Sequence, residues 1–203
     1  MKKSISIYLS LLALPLFYTA CTSNKTPTAT AVADNTSVAV EAATAKTPTP
    51  KAKEASAKIQ WLTIEQAAAR MEKEPRKMVI DVYTDWCGWC KKMDKETFTD
   101  SEVAELVNKH YYAVKLNAEG KEPITLKGQT FNFKTEYKAH ELAVALLQGQ
   151  MSFPTTVYLD EKMNMLAPVP GYLDADNFSK ILRYFGENHH QSMNFQEYET
   201  QAK

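Results

Sequence analysis

Two cysteines three residues apart, Cys87 and Cys90, lie in the stretch Asp85-Trp86-Cys87-Gly88-Trp89-Cys90-Lys91. Such a pair can do three things. It can exchange disulfides, supply part of a metal site, or form an inert bridge. At the start of a helix the two residues share one face of one turn, close enough to bond. The first would sit where unpaired backbone N–H groups and the helix dipole favour a thiolate. Only a thiolate attacks a disulfide. Position therefore predicts Cys87 as the exposed nucleophile and Cys90, one turn in, as the resolving thiol.

The rival chemistries are less well served. A structural zinc site takes four ligands, and this pair supplies two. The histidines are His110, His140, His189 and His190, and none is spaced as a ligand partner of a cysteine. An inert staple is the remaining alternative, although a bridge between near neighbours is more often labile than stabilising. Net charge is zero, with 44% hydrophobic and 24% charged residues. That composition belongs to a soluble globular protein and carries no electrostatic footprint for nucleic acid.

The third cysteine, Cys21, has a different setting. Lys2 and Lys3 precede an almost wholly apolar run from Ile5 to Tyr18, and small Ala20 stands just before Cys21. The run is too short for a membrane span and reads as an export signal over residues 1–20. It resembles a bacterial lipoprotein signal, which implies lipidation of Cys21. Tyr18 stands where that pattern prefers Leu, and a plain cleaved signal or an uncleaved anchor are the alternatives. From Thr22 to Lys58 the chain is rich in Thr, Ala, Lys and Pro, with no aromatic residue and no glycine. Such a segment buries too little to offset its ordering entropy. Residues 21–58 are expected to be a disordered tether with an r.m.s. span of about 35 Å. The folded part is expected over 59–203, long enough for one domain with a real core.

The elements that must position the cysteines follow from pattern. Thr63 and Gln66 form a capping box for a helix that Pro75 ends. Met78 to Thr84 is apolar and β-prone apart from Asp81, a buried strand. A helix follows from about Gly88. Thr99 with Glu102 reads as a second capping box, before an apolar face of Val103, Leu106 and Val107. Tyr111–Asn117 is a strand. Residues 118–137 are irregular, with a hairpin around Lys127-Gly128-Gln129. Ala139–Leu147 reads as a helix stopped by Gly149. Strands at Thr155–Leu159 and Met165–Val169 flank a turn, and Asp174 caps a helix ending at Gly186. Phe195 and Tyr198 could dock a terminal turn. This order predicts an α/β fold, a central mixed sheet with helices on both faces.

At this point the sequence resembles the thioredoxin superfamily. Four segments stand in the family's order: Val79 through Lys91, Lys115-Leu116-Asn117, Phe153-Pro154-Thr155 and Gly171-Tyr172. The run Lys91 to Phe98 is most similar to exported thioredoxin-like proteins of Gram-negative bacteria. The resemblance covers about residues 59–186 and implies a thioredoxin-like fold with an insertion after Asn117. It implies that Asp81 is the buried carboxylate that accepts the Cys90 proton, and that Lys115 neighbours it. An edge-exposed Asp81 and a plain surface Lys115 are the alternatives. It implies a cis Pro154 facing the cysteines, with Trp86, Trp89, Phe153 and Pro154 as the substrate surface.

The expected function is thiol–disulfide exchange with exported proteins, reductase or isomerase-type favoured over oxidase. It needs no organic cofactor and no metal. The expected partners are disulfide-containing exported proteins, a membrane or periplasmic thiol electron donor, and the membrane itself through the lipid anchor. No nucleic acid and no second copy of the chain is expected. The expected location is the periplasmic side of a bacterial membrane, or soluble in the periplasm or secreted. A redox-silent peptide-binding module and a metal chaperone are the alternatives. Two departures from the family pattern stand out: Trp89 replaces the usual Pro or His, and the insertion could be a partner-binding flap or edge decoration.

Overall fold

A computed structural model describes residues 58–201. The expectations for the signal, for Cys21 and for the tether up to residue 57 lie outside the described residues. Among the described residues no helix is long and apolar enough to cross a membrane.

The elements run β1 (Trp61–Leu62), α1 (Ile64–Met71), β2 (Lys77–Tyr83), α2 (Gly88–Glu96), α3 (Ser101–His110) and β3 (Tyr111–Asn117). Four short strands follow: β4 (Ile124–Leu126), β5 (Gln129–Phe131), β6 (Phe133–Lys134) and β7 (Ala139–His140). Then come α4 (Glu141–Leu146), β8 (Thr155–Leu159), β9 (Met165–Pro170), α5 (Ala175–Gly186), a 3₁₀ turn at His189–Gln191 and α6 (Phe195–Gln201). The main sheet is ordered β1-β3-β2-β8-β9, the central mixed sheet of the α/β expectation. β1, β3 and β2 are parallel, β8 runs antiparallel to β2, and β9 runs antiparallel to β8.

Side-chain alternation along the strands decides which residues meet which helices. Met78, Ile80 and Val82 of β2 join Tyr112, Val114 and Leu116 of β3 against α1 and α4. Val79, Tyr111, Ala113 and Tyr158 face the other way, into a core built with α2, α3 and α5. Asp81 and Lys115 have that second parity. They are register partners, and Thr156 of β8 pairs with Asp81 from the other side. The period of two thus delivers one carboxylate and one ammonium to the face that carries α2.

Local signals behave as their chemistry requires, with two corrections. The Thr63 capping box forms in both directions, Gln66 N–H donating to Thr63 Oγ1 at 3.2 Å and Thr63 N–H to Gln66 Oε1 at 3.0 Å. The Thr99–Glu102 box does not form. Asp100 is the N-cap, its carboxylate accepting from Glu102 N–H at 2.9 Å and Val103 N–H at 3.0 Å. Thr99 instead donates backwards to Lys95 O at 2.7 Å. A carboxylate is the stronger acceptor at a positive helix end. The helix expected from Ala139 starts at Glu141, because Ala139 and His140 pair with Phe133 and Lys134 in a small ladder.

The insertion is two such ladders, β4–β5 and β6–β7. The hairpin at Lys127-Gly128 turns with both residues at positive φ, 51° and 77°, as a tight two-residue turn demands. His140 fastens the insertion from inside. Its N–H donates to Ala118 O at 2.7 Å, one ring nitrogen meets Glu122 O at 3.2 Å, and the other accepts from Leu142 N–H at 3.3 Å. Ile124, Leu126 and Phe131 then pack on the α1–α4 core.

Candidate active site

β2 ends at Tyr83, and the chain turns through Thr84-Asp85-Trp86 so that Cys87 becomes the N-cap of α2. Cys87 N–H donates to Thr84 O at 3.1 Å, closing the turn. Cys87 and Cys90 are joined as a disulfide, Cα atoms 5.3 Å apart. The Cys87 sulfur also accepts from Cys90 N–H at 3.0 Å. That donor is one of the unpaired N–H groups of the first helical turn. The expectation that Cys87 is exposed is corrected: it is 4% exposed and Cys90 2%. Its sulfur is bonded to Cys90 and turned onto the helix end. The flanking rings stand in solvent instead, Trp86 at 65% and Trp89 at 58%.

Each tryptophan is held from one side. Trp86 meets the Phe153 ring edge-on at a centroid distance of 6.0 Å and donates from Nε1 to Glu119 at 3.0 Å. Trp89 lies 5.4 Å from the Tyr172 ring. The Lys92 ammonium sits 5.2 Å from the Trp89 centroid and 5.0 Å from that of Tyr172. Tyr172 in turn donates to Glu96 at 3.1 Å. The Phe153–Pro154 peptide bond is cis. Pro154 O accepts from Gly171 N–H at 2.8 Å, which ties this segment to the end of β9. Gly171 has φ 100°, a conformation that glycine adopts without strain.

Behind the cysteines the sheet supplies the charge. Asp81 is 2% exposed, so it is not at an edge. Its Oδ2 accepts from Lys115 Nζ at 2.9 Å, while its buried Oδ1 finds no partner among the described residues. Lys115 also donates to Asp94 on α2. Three rings surround the ammonium: Phe98 at 4.9 Å, Trp61 at 5.0 Å and Tyr83 at 5.2 Å. Burial pushes the Asp81 carboxyl above its ordinary value, and Lys115 pulls it back only in part. Burial works against the Lys115 ammonium too, yet the Asp81 and Asp94 carboxylates outweigh it and hold its pKa up. Both shifts are compatible because Asp94 remains as counter-charge when Asp81 takes a proton.

The thioredoxin-like domain family matches residues 64–186. The chain belongs to that family. The thiol:disulfide interchange protein DsbD of Escherichia coli K12 is 26% identical over 117 residues, 57% of this chain and 18% of that protein. The protein of the same name from Citrobacter koseri is 26% identical over 122 residues, 59% of this chain and 18% of that one. This chain therefore spans under a fifth of the length of these curated relatives. A solved structure described as DsbH oxidoreductase shares the fold, with a TM-score of 0.51 at 17% identity over 71% of this chain and 95% of that one.

Within this thioredoxin-like domain the structure links several of the candidate residues directly. Trp86 and Trp89 flank the cysteines, the Phe153 ring meets that of Trp86 next to the cis Pro154, and Asp81 and Lys115 lie on the sheet face beneath α2. Three contributors were missed in the sequence. Asp94 carried a usable signal, four residues after Cys90 and so on the same helix face. Glu119 had none, since its contact with Trp86 depends on how the insertion folds. Tyr172 was read only as the neighbour of a glycine. Among the described residues no three His, Cys, Asp or Glu side chains gather as a metal-binding group.

Proposed function

We propose that this protein exchanges disulfides with exported proteins through Cys87 and Cys90. The observation that carries the reading is the Cys87–Cys90 disulfide at the N-terminus of α2 with a buried, half-satisfied carboxylate on the sheet behind it. In the reducing direction, the Cys87 thiolate attacks a substrate disulfide, a mixed disulfide forms, and one substrate sulfur leaves as a thiol after taking a proton. Asp81 then takes the Cys90 proton. The Cys90 sulfur attacks Cys87, the Cys87–Cys90 bond forms, and the second substrate sulfur leaves. Two electrons pass from the cysteine pair to the substrate. A thiol donor must return them for the next cycle.

The exposed rings of Trp86 and Trp89, with Phe153 and Pro154, form the surface against which an extended substrate segment lies. The signal over residues 1–20 and a lipidated Cys21 place the domain on the periplasmic side of a bacterial membrane. There the bulk poise is oxidising, so reductase or isomerase-type exchange requires a dedicated donor. The names of the DsbD relatives support interchange chemistry. The direction of electron flow and the partners are part of this proposal.

The test is reduction of insulin by the purified protein with dithiothreitol as donor. Acceleration over dithiothreitol alone supports exchange. A folded but inactive protein points to a peptide-binding module, and stoichiometric copper or zinc on the reduced protein points to a metal chaperone. Anchoring has its own measurement. Radiolabelled palmitate is expected to enter the wild-type protein in cells and to be lost in Cys21→Ser. An unlabelled wild type would refute the anchor.

A further inference from the structure

Lys115 is the junction of the buried charge network. On β3 it is the register partner of Asp81, and it also reaches Asp94 on α2. Phe98, Trp61 and Tyr83 confine the ammonium, so it has little freedom to swing away from both carboxylates. Its stem lines two open clefts, of about 570 Å³ on the insertion side and about 460 Å³ on the α2 side. Asp94 lines the second of these, and its side chain is 46% exposed. The polar or charged groups around Asp81 come from each packed element: Lys115 on β3, Asp94 on α2, Tyr83 on its own strand, and uncharged Thr156 on β8.

A lone lysine held on a buried aspartate would favour the charged carboxylate, and a carboxylate locked in that form is a poor proton acceptor. We propose that Asp94 is a positioning residue that shares the Lys115 ammonium with Asp81 and so keeps Asp81 able to take the Cys90 proton. The proposal rests on the exchange reading for its purpose, but its physical content is separate from it. Asp94 also gives the buried pair a hydrated counter-charge at the mouth of a cleft. Lys115 therefore stays paired whichever state Asp81 is in. Burial displaces Asp81 upward and Lys115 offsets it only in part, and the placement of Lys115 between two carboxylates is the geometry that carries the proposal.

The experiment is titration of the Asp81 carboxyl by carbon-13 NMR in the full chain, without substrate. Asp94 is half in solvent, so Asp94→Asn leaves the fold intact. In that variant the Asp81 midpoint is expected to fall by about one pH unit, the low end for an opposite charge acting alone at contact distance. Asp94→Glu, which keeps the charge, is expected to restore it. In a Lys115→Gln background the same Asp94→Asn change is expected to move Asp81 by less than half as much. No fall in Asp94→Asn would overturn the proposal. An equal fall with and without Lys115 would also overturn it, because Asp94 would then act by direct repulsion and not by sharing the ammonium. Because the readout needs no activity, an insulin assay that fails leaves this result standing and sinks only the exchange reading.

Discussion

Cys90→Ala is expected to leave exported proteins covalently attached to Cys87, recoverable from cells as mixed disulfides that dithiothreitol releases. Cys87→Ser is expected to capture nothing and to lower the exchange rate roughly a thousandfold or more, since a serine hydroxyl is neither ionised nor a soft nucleophile at neutral pH. Burial does not separate the two cysteines, at 4% and 2% exposed. Position does. Cys87 is the residue outside the first helical turn, and its sulfur already accepts from Cys90 N–H at 3.0 Å. After reduction the same N–H and the helix dipole favour a negative charge on Cys87, whereas Cys90 sits inside the helix with its own N–H used in that contact. The first attack thus belongs to Cys87 and the second to Cys90. Equal capture by Cys87→Ala, with Cys90 as the trapping thiol, would reverse the assignment. The aromatic rim makes a softer prediction for the same experiment. Trp86 and Trp89 stand in solvent beside a nearly closed sulfur, so captured segments are expected to be extended and apolar next to the bonded cysteine.

The frame of this site was legible because short-range physics writes it plainly. The β2 run is apolar on both faces as a central strand must be, and its one charged interior residue, Asp81, is the one proposed to take the Cys90 proton. The capping box at Thr63 and the Asp174 cap, whose carboxylate accepts from Asn177 N–H at 2.9 Å, each need only local geometry. What was not legible depended on contacts between distant segments. β1 has two residues, too few to show any period, and exists because β3 offers it a parallel partner. Ala139 and His140 read as helix because alanine is the strongest helix former and the run continues without a break to Leu147. The ladder with Phe133 and Lys134 decides the matter. Cys87 was expected to be open because a helix N-terminus usually is. The bond to Cys90 and the turn through Thr84 draw it in. Asp94 shares a helix face with Cys90 in the sequence, but its contact with Lys115, twenty-one residues on and in another layer, is not written there.

The second large effect concerns Asp81, and it has opposite signs for activity and stability. Asp81→Asn removes the group proposed to take the Cys90 proton. The resolving step is then expected to slow by about 10²-fold at neutral pH, within the usual range for a positioned general base. The fold is expected to gain. Burial raises the Asp81 carboxyl above its ordinary value, so the native state holds a proton that the unfolded chain has already released. Where the unfolded state binds fewer protons, stability falls as pH rises. The wild type therefore loses stability between the unfolded carboxyl's range, about 4, and the higher folded value. The asparagine variant carries no such loss. At pH 8 it is expected to be more stable than the wild type, because the asparagine carries no charge into the buried site. The gain should shrink as pH falls and vanish below about pH 4, where both states of the wild type are protonated. Lys115 is not orphaned by the change, because Asp94 still holds it. Urea midpoints of the two proteins at pH 4 and pH 8 check the sign. If the variant were less stable at pH 8, the Asp81–Lys115 pair would be a net stabilising ion pair, and Asp81 would be held by its partner as a weaker base than the resolving step asks for.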